Sequence, residues 1–126
     1  MRETDLTSIE TLIMKCIWEF EGEMPLQTLK DELLKRFNKD YQRTTIRTYL
    51  TSLQHKGYLS VERKGKYSYA KWLIGEEEYS TRQAEKLLDF WFDGSSEKFV
   101  KALTYKISNE EQNRLKELLN DLEDEQ

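Results

Sequence analysis

A mostly α-helical fold interrupted by one small β-hairpin is predicted by three features of this sequence. Apolar residues recur at helical spacing through most of the 126 residues. That period gives way once, after Gly57, to the two-residue alternation of strands around a glycine turn. Charge divides along the chain as well. From Lys39 to Lys71 eight Lys/Arg stand against two acids, a net of +6, whereas from Leu73 to Gln126 seven stand against fourteen, a net of −7. A chain with an overall formal charge of −4 therefore has a basic middle and an acidic C-terminal half. Such asymmetry points to a polyanion partner for one part only.

Length and composition narrow the function class. The chain lies in the range of one domain or of two small subdomains. With 37% hydrophobic and 35% charged residues, the core is expected to be modest and the surface heavily ionised. Cys16, between Met14 and Ile17 in an apolar run, reads as a core thiol, and with one cysteine no intramolecular disulfide is available. Cys and His never cluster at metal-ligand spacing, His55 stands alone, and no phosphate-binding glycine loop occurs. No cofactor, metal or enzyme activity is therefore expected, and the carboxylates Glu76 to Glu78 read as a helix start. The segment MRETDLTSIE lacks the apolar stretch of a signal peptide, and no run approaches the ~18 apolar residues of a membrane span. The expectation is a cytoplasmic protein with no membrane partner.

The first helix is announced by Thr7-Ser8-Ile9-Glu10, a capping box in which Thr7 bonds the amide three residues on and Glu10 reaches back. Ile9, Ile13, Cys16, Ile17 and Phe20 then share one face, widened by Leu12 and Trp18, and Glu21-Gly22-Glu23 is the stop. Met24-Pro25-Leu26 is too short for an element of its own and reads as a strand rung for a later hairpin. A second helix follows through Leu26, Leu29, Leu33, Leu34 and Phe37, with Asn38-Lys39-Asp40 as the turn.

The third helix, about Arg43 to Lys56, carries the most informative phase. At ~100° per residue with Ile46 at zero, Leu50 falls at about 40° and Leu53 at about 340°. Thr44, Thr48, Thr51 and His55 then lie between about 140° and 200°, with Arg47 and Ser52 on the flanks. Threonine is a mediocre helix former, and a merely solvated face would more often carry Glu, Lys, Gln and Ala. Short side chains instead let a helix sit deep in a DNA major groove, where hydroxyls meet phosphates or bases and methyls meet thymine. Groove insertion is the favoured reading, with a solvated face as its competitor.

After Gly57, Tyr58 to Glu62 and Tyr67 to Trp72 alternate as strands around Arg63-Lys64-Gly65-Lys66, expected as a turn bearing three cations. By itself such a tip is a solubilising turn or a phosphate-contacting wing; beside the threonine helix the wing is favoured. A fourth helix runs from about Gly75 to Phe92. With Leu87 at zero, Leu88, Phe90, Trp91 and Phe92 spread over an apolar arc of roughly 200°, against the ~100° that one small core needs. The excess implies two buried sides, hence a second chain or a tightly wrapped neighbour. Asp93-Gly94-Ser95-Ser96 breaks the chain, with Ser95 or Ser96 as the next cap. Phe99, Val100, Leu103 and Ile107 mark a short fifth helix. Ser108-Asn109-Glu110-Glu111 is a second capping box, opening a sixth with Leu115, Leu118, Leu119 and Leu122 as a narrow seam. That seam suits pairing with another helix or packing within its own domain.

Helix, helix, Thr/Arg helix and hairpin is the order of a winged helix-turn-helix. The expected organisation is a DNA-binding domain over residues 1–74 and a C-terminal helical dimerisation region over 75–126. The sequence resembles the BlaI/MecI penicillinase-repressor family, which includes copper-responsive repressors. The resemblance rests on Leu6 to Glu10 with Ile13-Met14 and Ile17-Trp18, and on Thr45-Ile46-Arg47-Thr48-Tyr49-Leu50 with Leu53 and Lys56-Gly57-Tyr58-Leu59. Gly65-Lys66 with Tyr67 and Tyr69, Glu77-Glu78-Tyr79 and Phe92-Asp93-Gly94-Ser95 follow in the family's order.

The resemblance implies a homodimeric repressor on an inverted-repeat operator with TACA/TGTA-like arms. It places Thr45, Arg47 and Thr48 in the major groove, Arg43 and Thr44 near the phosphates at the helix start, and Lys64 and Lys66 on the wing; Thr51 joins them from the helical phase. Dimerisation is expected of Leu87, Leu88, Trp91, Phe92, Phe99, Leu103, Leu115, Leu118 and Leu122. The copper-responsive branch carries C-terminal Cys-x-Cys motifs, which are absent from Asp121 to Gln126, so copper sensing is not expected. The antibiotic-responsive branch is cut by a sensor protease between Asn and Phe in the fifth helix. The matching region here reads Lys101-Ala102-Leu103-Thr104, so a sensor protease stays among the partners the resemblance implies, while its cleavage point cannot be placed by simple transfer. Two other functions compete with this one: a winged-helix module that meets protein instead of DNA, favoured by the net acidity but not by the basic middle, and an enzyme, for which no catalytic grouping is present in the sequence.

Overall fold

A computed structural model describes residues 5–104 and 108–124, with side chains described as far as residue 118. The elements are α1 (Ser8–Glu19), β1 (Met24–Pro25), α2 (Leu26–Phe37), α3 (Arg43–His55), β2 (Leu59–Lys64), β3 (Tyr67–Trp72), α4 (Glu76–Phe92), α5 (Ser96–Leu103) and α6 (Asn109–Asp124). They form two compact units, Met1–Tyr79 and Ser80–Gln126. The first turn of α4 belongs to the first unit because Tyr79 is buried in its core.

In the first unit both arms of the α1 capping box are made: Glu10 N donates to Thr7 Oγ1 at 3.3 Å and Thr7 N donates to Glu10 Oε1 at 2.9 Å. The helix ends sooner than expected. Phe20 is already extended at the C-cap, and Gly22, at φ +86°, takes the left-handed conformation in the loop beyond. Met24 and Pro25 pair with Ala70 and Tyr69, so the strand rung completes a three-stranded antiparallel sheet in the order β1-β3-β2. Pro25 tolerates this place because it lies on an edge strand, where a missing N–H costs no ladder bond. Asn38 closes α2 in the left-handed conformation, donating to the carbonyls of Leu33 and Leu34.

The hairpin differs from its expectation. Lys64 pairs with Tyr67, so the turn is Gly65-Lys66, and Arg63 and Lys64 lie in β2. A two-residue turn with glycine first, here at φ +65°, matches the right-handed twist of the strands it joins. The consequence is chemical: the tip carries one cation, and successive residues Arg63 and Lys64 face opposite sides of the sheet.

The core gathers Ile13, Met14 and Ile17 of α1, Leu29 and Leu33 of α2, Ile46, Leu50 and Leu53 of α3, and Met24, Leu59 and Ala70 of the sheet. Cys16 is buried with them, and burial pushes its thiol pKa up, as a core thiol requires. Leu34, read as part of the α2 face, is 46% exposed. Tyr58 and Tyr79 meet edge to face at 5.6 Å, and the Tyr79 hydroxyl oxygen accepts from the Leu6 amide at 3.1 Å. Trp18 Nε1 donates to the Ile74 carbonyl at 2.9 Å, and Lys15 pairs with Glu76, so α1 holds the start of α4.

Glu10 does more than cap. It is 2% exposed, and besides the Thr7 amide it accepts from Lys56 Nζ at 2.6 Å and from Ser52 Oγ at 2.8 Å. Burial raises a carboxyl pKa, but the Lys56 ammonium with the Thr7 and Ser52 bonds outweighs it and holds Glu10 below its ordinary 4.5. A carboxyl depressed by folding stabilises the fold above its unfolded pKa, and that contribution disappears as pH falls through the folded value. Glu10→Gln should therefore cost about 2–3 kcal/mol at neutral pH, since it leaves a charged Lys56 short of its counter-ion. In urea unfolding across pH, the gap between wild type and variant should close below 4.5. A gap that stays constant down the acid range would rule out the carboxylate as its source.

Ser95 is the cap of α5, accepting from Lys98 N at 3.1 Å, and Asp93, at φ 52°, precedes Gly94 in the turn. The α6 cap is Ser108, whose Oγ accepts from Glu111 N at 3.2 Å and meets Glu111 Oε1 at 3.4 Å. The α5 helix ends at Leu103; Ile107, expected to extend its face, and the side chains of Leu119 and Leu122 lie outside the described residues. Phe92 and Phe99 meet edge to face at 5.3 Å, and Gln112 Nε2 donates to the Thr104 carbonyl at 2.9 Å.

Candidate nucleic-acid interface

The phase of α3 is set by Ile46 and Leu53, both fully buried, and by Leu50 at 4% exposure. Thr44, Thr48, Thr51, His55 and Arg47 consequently stand exposed together, and Thr45 is half-buried on the flank. At the far end, Ser52 and Lys56 are held by Glu10 of α1. At the near end, Arg43 donates through Nη2 to Gln27 Oε1 of α2, and Gln27 in turn donates to Asp31 at 2.9 Å. Gln42, the N-cap, makes no side-chain cap bond, so the first-turn amides of α3 keep their donor capacity.

Two of the threonines are already engaged with their own helix. Thr48 Oγ1 donates to the Thr44 carbonyl at 3.1 Å and Thr51 Oγ1 to the Arg47 carbonyl at 2.9 Å. A hydroxyl has one proton, so what each presents outward is oxygen lone pairs and a methyl group. That combination complements amino groups on base edges and the thymine methyl better than it complements phosphate oxygens, which are acceptors.

The wing cations separate by face. Lys64, with Glu62 beside it, bonds Glu23 at 2.5 Å and stands 5.5 Å from the Tyr69 ring centroid. Lys66, at the tip, lies over Tyr67 at 5.7 Å. Arg63 faces the other way, its Nε donating to the Gly65 carbonyl at 3.1 Å. On that side an open cleft of about 240 Å³ separates α3 from the hairpin. Its α3 wall is Arg47, Thr51 and Gln54, and its hairpin wall is Arg63 and Ser68 over Val61. The cleft thus brings Gln54, not singled out in the sequence, and Arg63, expected among the three cations of the turn, beside Arg47 and Thr51. Strand alternation could have separated Arg63 from Lys64, had the two-residue turn been recognised.

The expected dimerisation residues divide by exposure. Leu87, Trp91 and Leu118 are 43%, 70% and 57% exposed, and Phe90, of the same arc, is 77% exposed. Leu88, Phe92, Phe99, Leu103 and Leu115 are half-buried. Among the described residues of Ser80–Gln126 none is buried, so this unit has apolar side chains without a core of its own.

Among the described residues no cluster of His, Cys, Asp and Glu is arranged to hold a metal ion, and no helix is long and apolar enough to cross a membrane. No curated protein sequence matches the chain. Among solved structures, the fold is similar to the solution structure of the DNA-binding domain of the repressor BlaI, with 28% identity and a TM-score of 0.51, covering 63% of this chain and 94% of that one. The winged helix-turn-helix expected of the N-terminal half is thus the observed fold. The family model described as penicillinase repressor matches residues 6–121, and with nearly the whole chain so covered, the protein belongs to the penicillinase repressor family.

Proposed function

We propose that this chain is a sequence-specific transcriptional repressor that binds an inverted-repeat operator as a homodimer. The observation that carries the reading is the exposed face of α3: Thr44, Thr48 and Thr51 beside Arg47, opposite the buried Ile46, Leu50 and Leu53. Membership of a repressor family and likeness to the DNA-binding domain of BlaI support it. In this reading α3 lies in the major groove. Arg47 is the base reader, since a guanidinium is the commonest specific partner of guanine. Thr45, Thr48 and Thr51 contribute methyls and acceptors beside it. Arg43 and the uncapped first turn around Thr44 take phosphates, as do Lys64 and Lys66 of the wing. The TACA/TGTA-like arms come from the family resemblance.

A homodimer is supported by the C-terminal helices. Burying a Leu, Phe or Trp side chain stabilises by roughly 1.5–3 kcal/mol or more, and a lone copy leaves Leu87, Phe90, Trp91 and Leu118 in water. A second copy offers the same apolar faces, as a two-fold interface requires. Two winged domains then meet two half-sites related by the same axis. Leu122, at the end of the seam, is assigned to the interface from its spacing. A cytoplasmic location and a role for a sensor protease accompany the repressor reading as parts of the family pattern.

Gel shifts across a salt series should show affinity falling steeply as salt rises, with an operator-like duplex preferred to a scrambled one. Arg47→Ala should weaken operator binding by about 1–3 kcal/mol, a loss of roughly 5- to 150-fold, and leave scrambled DNA less affected. Binding indifferent to sequence in the wild type would favour a non-specific or protein-binding module.

Sedimentation tests the interface separately. The wild type should sediment at twice the monomer mass, and Trp91→Glu should shift it toward monomer while the winged domain keeps its unfolding transition. A dimer untouched by charge at both Phe90 and Trp91 would place the interface elsewhere.

A further inference from the structure

Among the described residues one charged side chain is buried, and it is the carboxylate of Glu10. A capping box accounts for its bond to the Thr7 amide and for no more. Its other bonds cross to α3. Oε2 accepts from Ser52 Oγ at 2.8 Å and Oε1 from Lys56 Nζ at 2.6 Å, while Lys56 Nζ also reaches the Asp5 carbonyl at 3.4 Å. Net stability is a poor reason for this arrangement, since apolar side chains of like volume often fill a core as well as a buried ion pair does. What apolar contacts lack is direction.

The fixed side of this clamp is α1. The Thr7 amide ties Glu10 to the helix start, and the neighbouring Leu6 amide donates to the hydroxyl of Tyr79, which is packed in the core. The held side is α3. With Ile46 at zero on its wheel, Ser52 falls at about 240° and Lys56 at about 280°, across the helix from Arg47 at about 100° and Thr51 at about 140°. Two bonds one turn apart on that flank oppose both rotation of α3 about its axis and sliding along it. The effect is largest at the exposed face. Side chains extend about 5–6 Å from a helix axis, so a roll of about 20° displaces their tips by about 2 Å. That is several times the ~0.5 Å spread of hydrogen-bond lengths.

We propose that Glu10 is a positioning residue for sequence discrimination: its bonds to Ser52 and Lys56 set the roll of α3 at which Arg47, Thr48 and Thr51 meet base edges, while Glu10 itself touches no DNA. The proposal rests on the base-reading role given to α3 above. Phosphate contacts tolerate a rolled helix, because long flexible cations follow the backbone, whereas bonds to base edges do not. Releasing the clamp therefore lowers the preference for operator over other sequences and leaves the salt-dependent affinity for any duplex in place.

Glu10→Gln alone strands a charged Lys56, so the decisive variant combines Glu10→Gln with Lys56→Met. Glutamine serves a capping box as glutamate does, the pair's net charge is unchanged, and neutral replacement of a buried ion pair is often without cost in stability. Its urea midpoint is measured first. Titrated with operator-like and scrambled duplexes over a salt series, this variant is expected to bind scrambled DNA as the wild type does, with the same slope of log affinity against log salt. Its operator preference should fall roughly tenfold, within what one base contact carries. Ser52→Ala should lower the preference in the wild-type background and nothing further in the double variant. Should the double variant not fold, Glu10→Asp, which keeps the charge and shortens the reach, takes its place in the same cycle. Full operator preference without the clamp, an equal loss on both duplexes, or a Ser52→Ala effect that adds undiminished would overturn the proposal while leaving DNA binding intact. A wild type without operator preference would instead remove the reading on which it rests.

Discussion

The buried carboxylate of Glu10 is the interaction on which the geometry of the first unit depends. It terminates one helix and anchors another: the Thr7 amide is at the start of α1, while Ser52 and Lys56 close the last turn of α3. Apolar packing alone leaves a helix some freedom to roll and slide, because Leu and Ile contacts are non-directional. Three hydrogen bonds to two oxygens are directional. They fix where the C-terminal end of α3 lies, and Gln27 bonded to Arg43 fixes the other end. A buried ion pair is weak evidence for net stability, since desolvation consumes much of the Coulombic gain. Its clearer contribution here is orientation, which the base-reading role proposed for α3 requires.

The distribution of ion pairs explains how a chain with a formal charge of −4 keeps cations without carboxylate partners beside α3. Glu10, Glu19, Glu23 and Glu76 each face a cation on a side away from the cleft, where they neutralise Lys56, Arg36, Lys64 and Lys15. Exposed pairs of this kind contribute little to stability. Their effect is on where unbalanced charge remains: Arg47 and Arg63, which have no carboxylate partner among the described residues, line the cleft beside α3. Net charge is therefore a poor guide to nucleic-acid binding in this chain, and segment charge a better one. Lys64 is the instructive case. By composition it belongs to the basic wing, yet Glu23 already pairs with it, so a phosphate in the role proposed for it would have to compete with that carboxylate.

What could be read from the sequence follows from the range over which each signal acts. The α3 phase was legible because Ile46, Leu50 and Leu53 repeat within one helix, and rotation by 100° per residue carries that information to the opposite face. Capping by Thr7 and the turn at Asn38-Lys39-Asp40 were legible for the same local reason, and the β1 rung because Met24-Pro25-Leu26 is too short to be an element of its own. Glu10 was not: its partners Ser52 and Lys56 lie 42 and 46 residues away, and the capping box fully accounts for a glutamate at that position. The face of Arg63 was not legible because Arg63-Lys64-Gly65-Lys66 is compatible with several turns, and only the pairing of Lys64 with Tyr67 decides which cations share a face. Leu34 shows the converse failure, since helical spacing predicts a face but not whether anything covers its edge.

The second unit reverses the relation between sequence and stability. In the first unit, apolar residues at helical spacing find one another within the chain and disappear from solvent. In α4, α5 and α6 the same spacing leaves Phe90 and Trp91 more than two-thirds exposed. Helices of 17, 8 and 16 residues draw most of their stability in water from tertiary packing, not from propensity. A unit with no buried residue among those described therefore needs surface from outside itself to be well folded. In the homodimer proposed here folding of this unit and association are one event, so the stability of the C-terminal half depends on protein concentration while that of the winged half does not. The two halves are then coupled in one direction. The winged unit has a core with or without a partner, and whatever separates the C-terminal helices would release two intact winged domains, each limited to a single half-site and to the weaker affinity that goes with it.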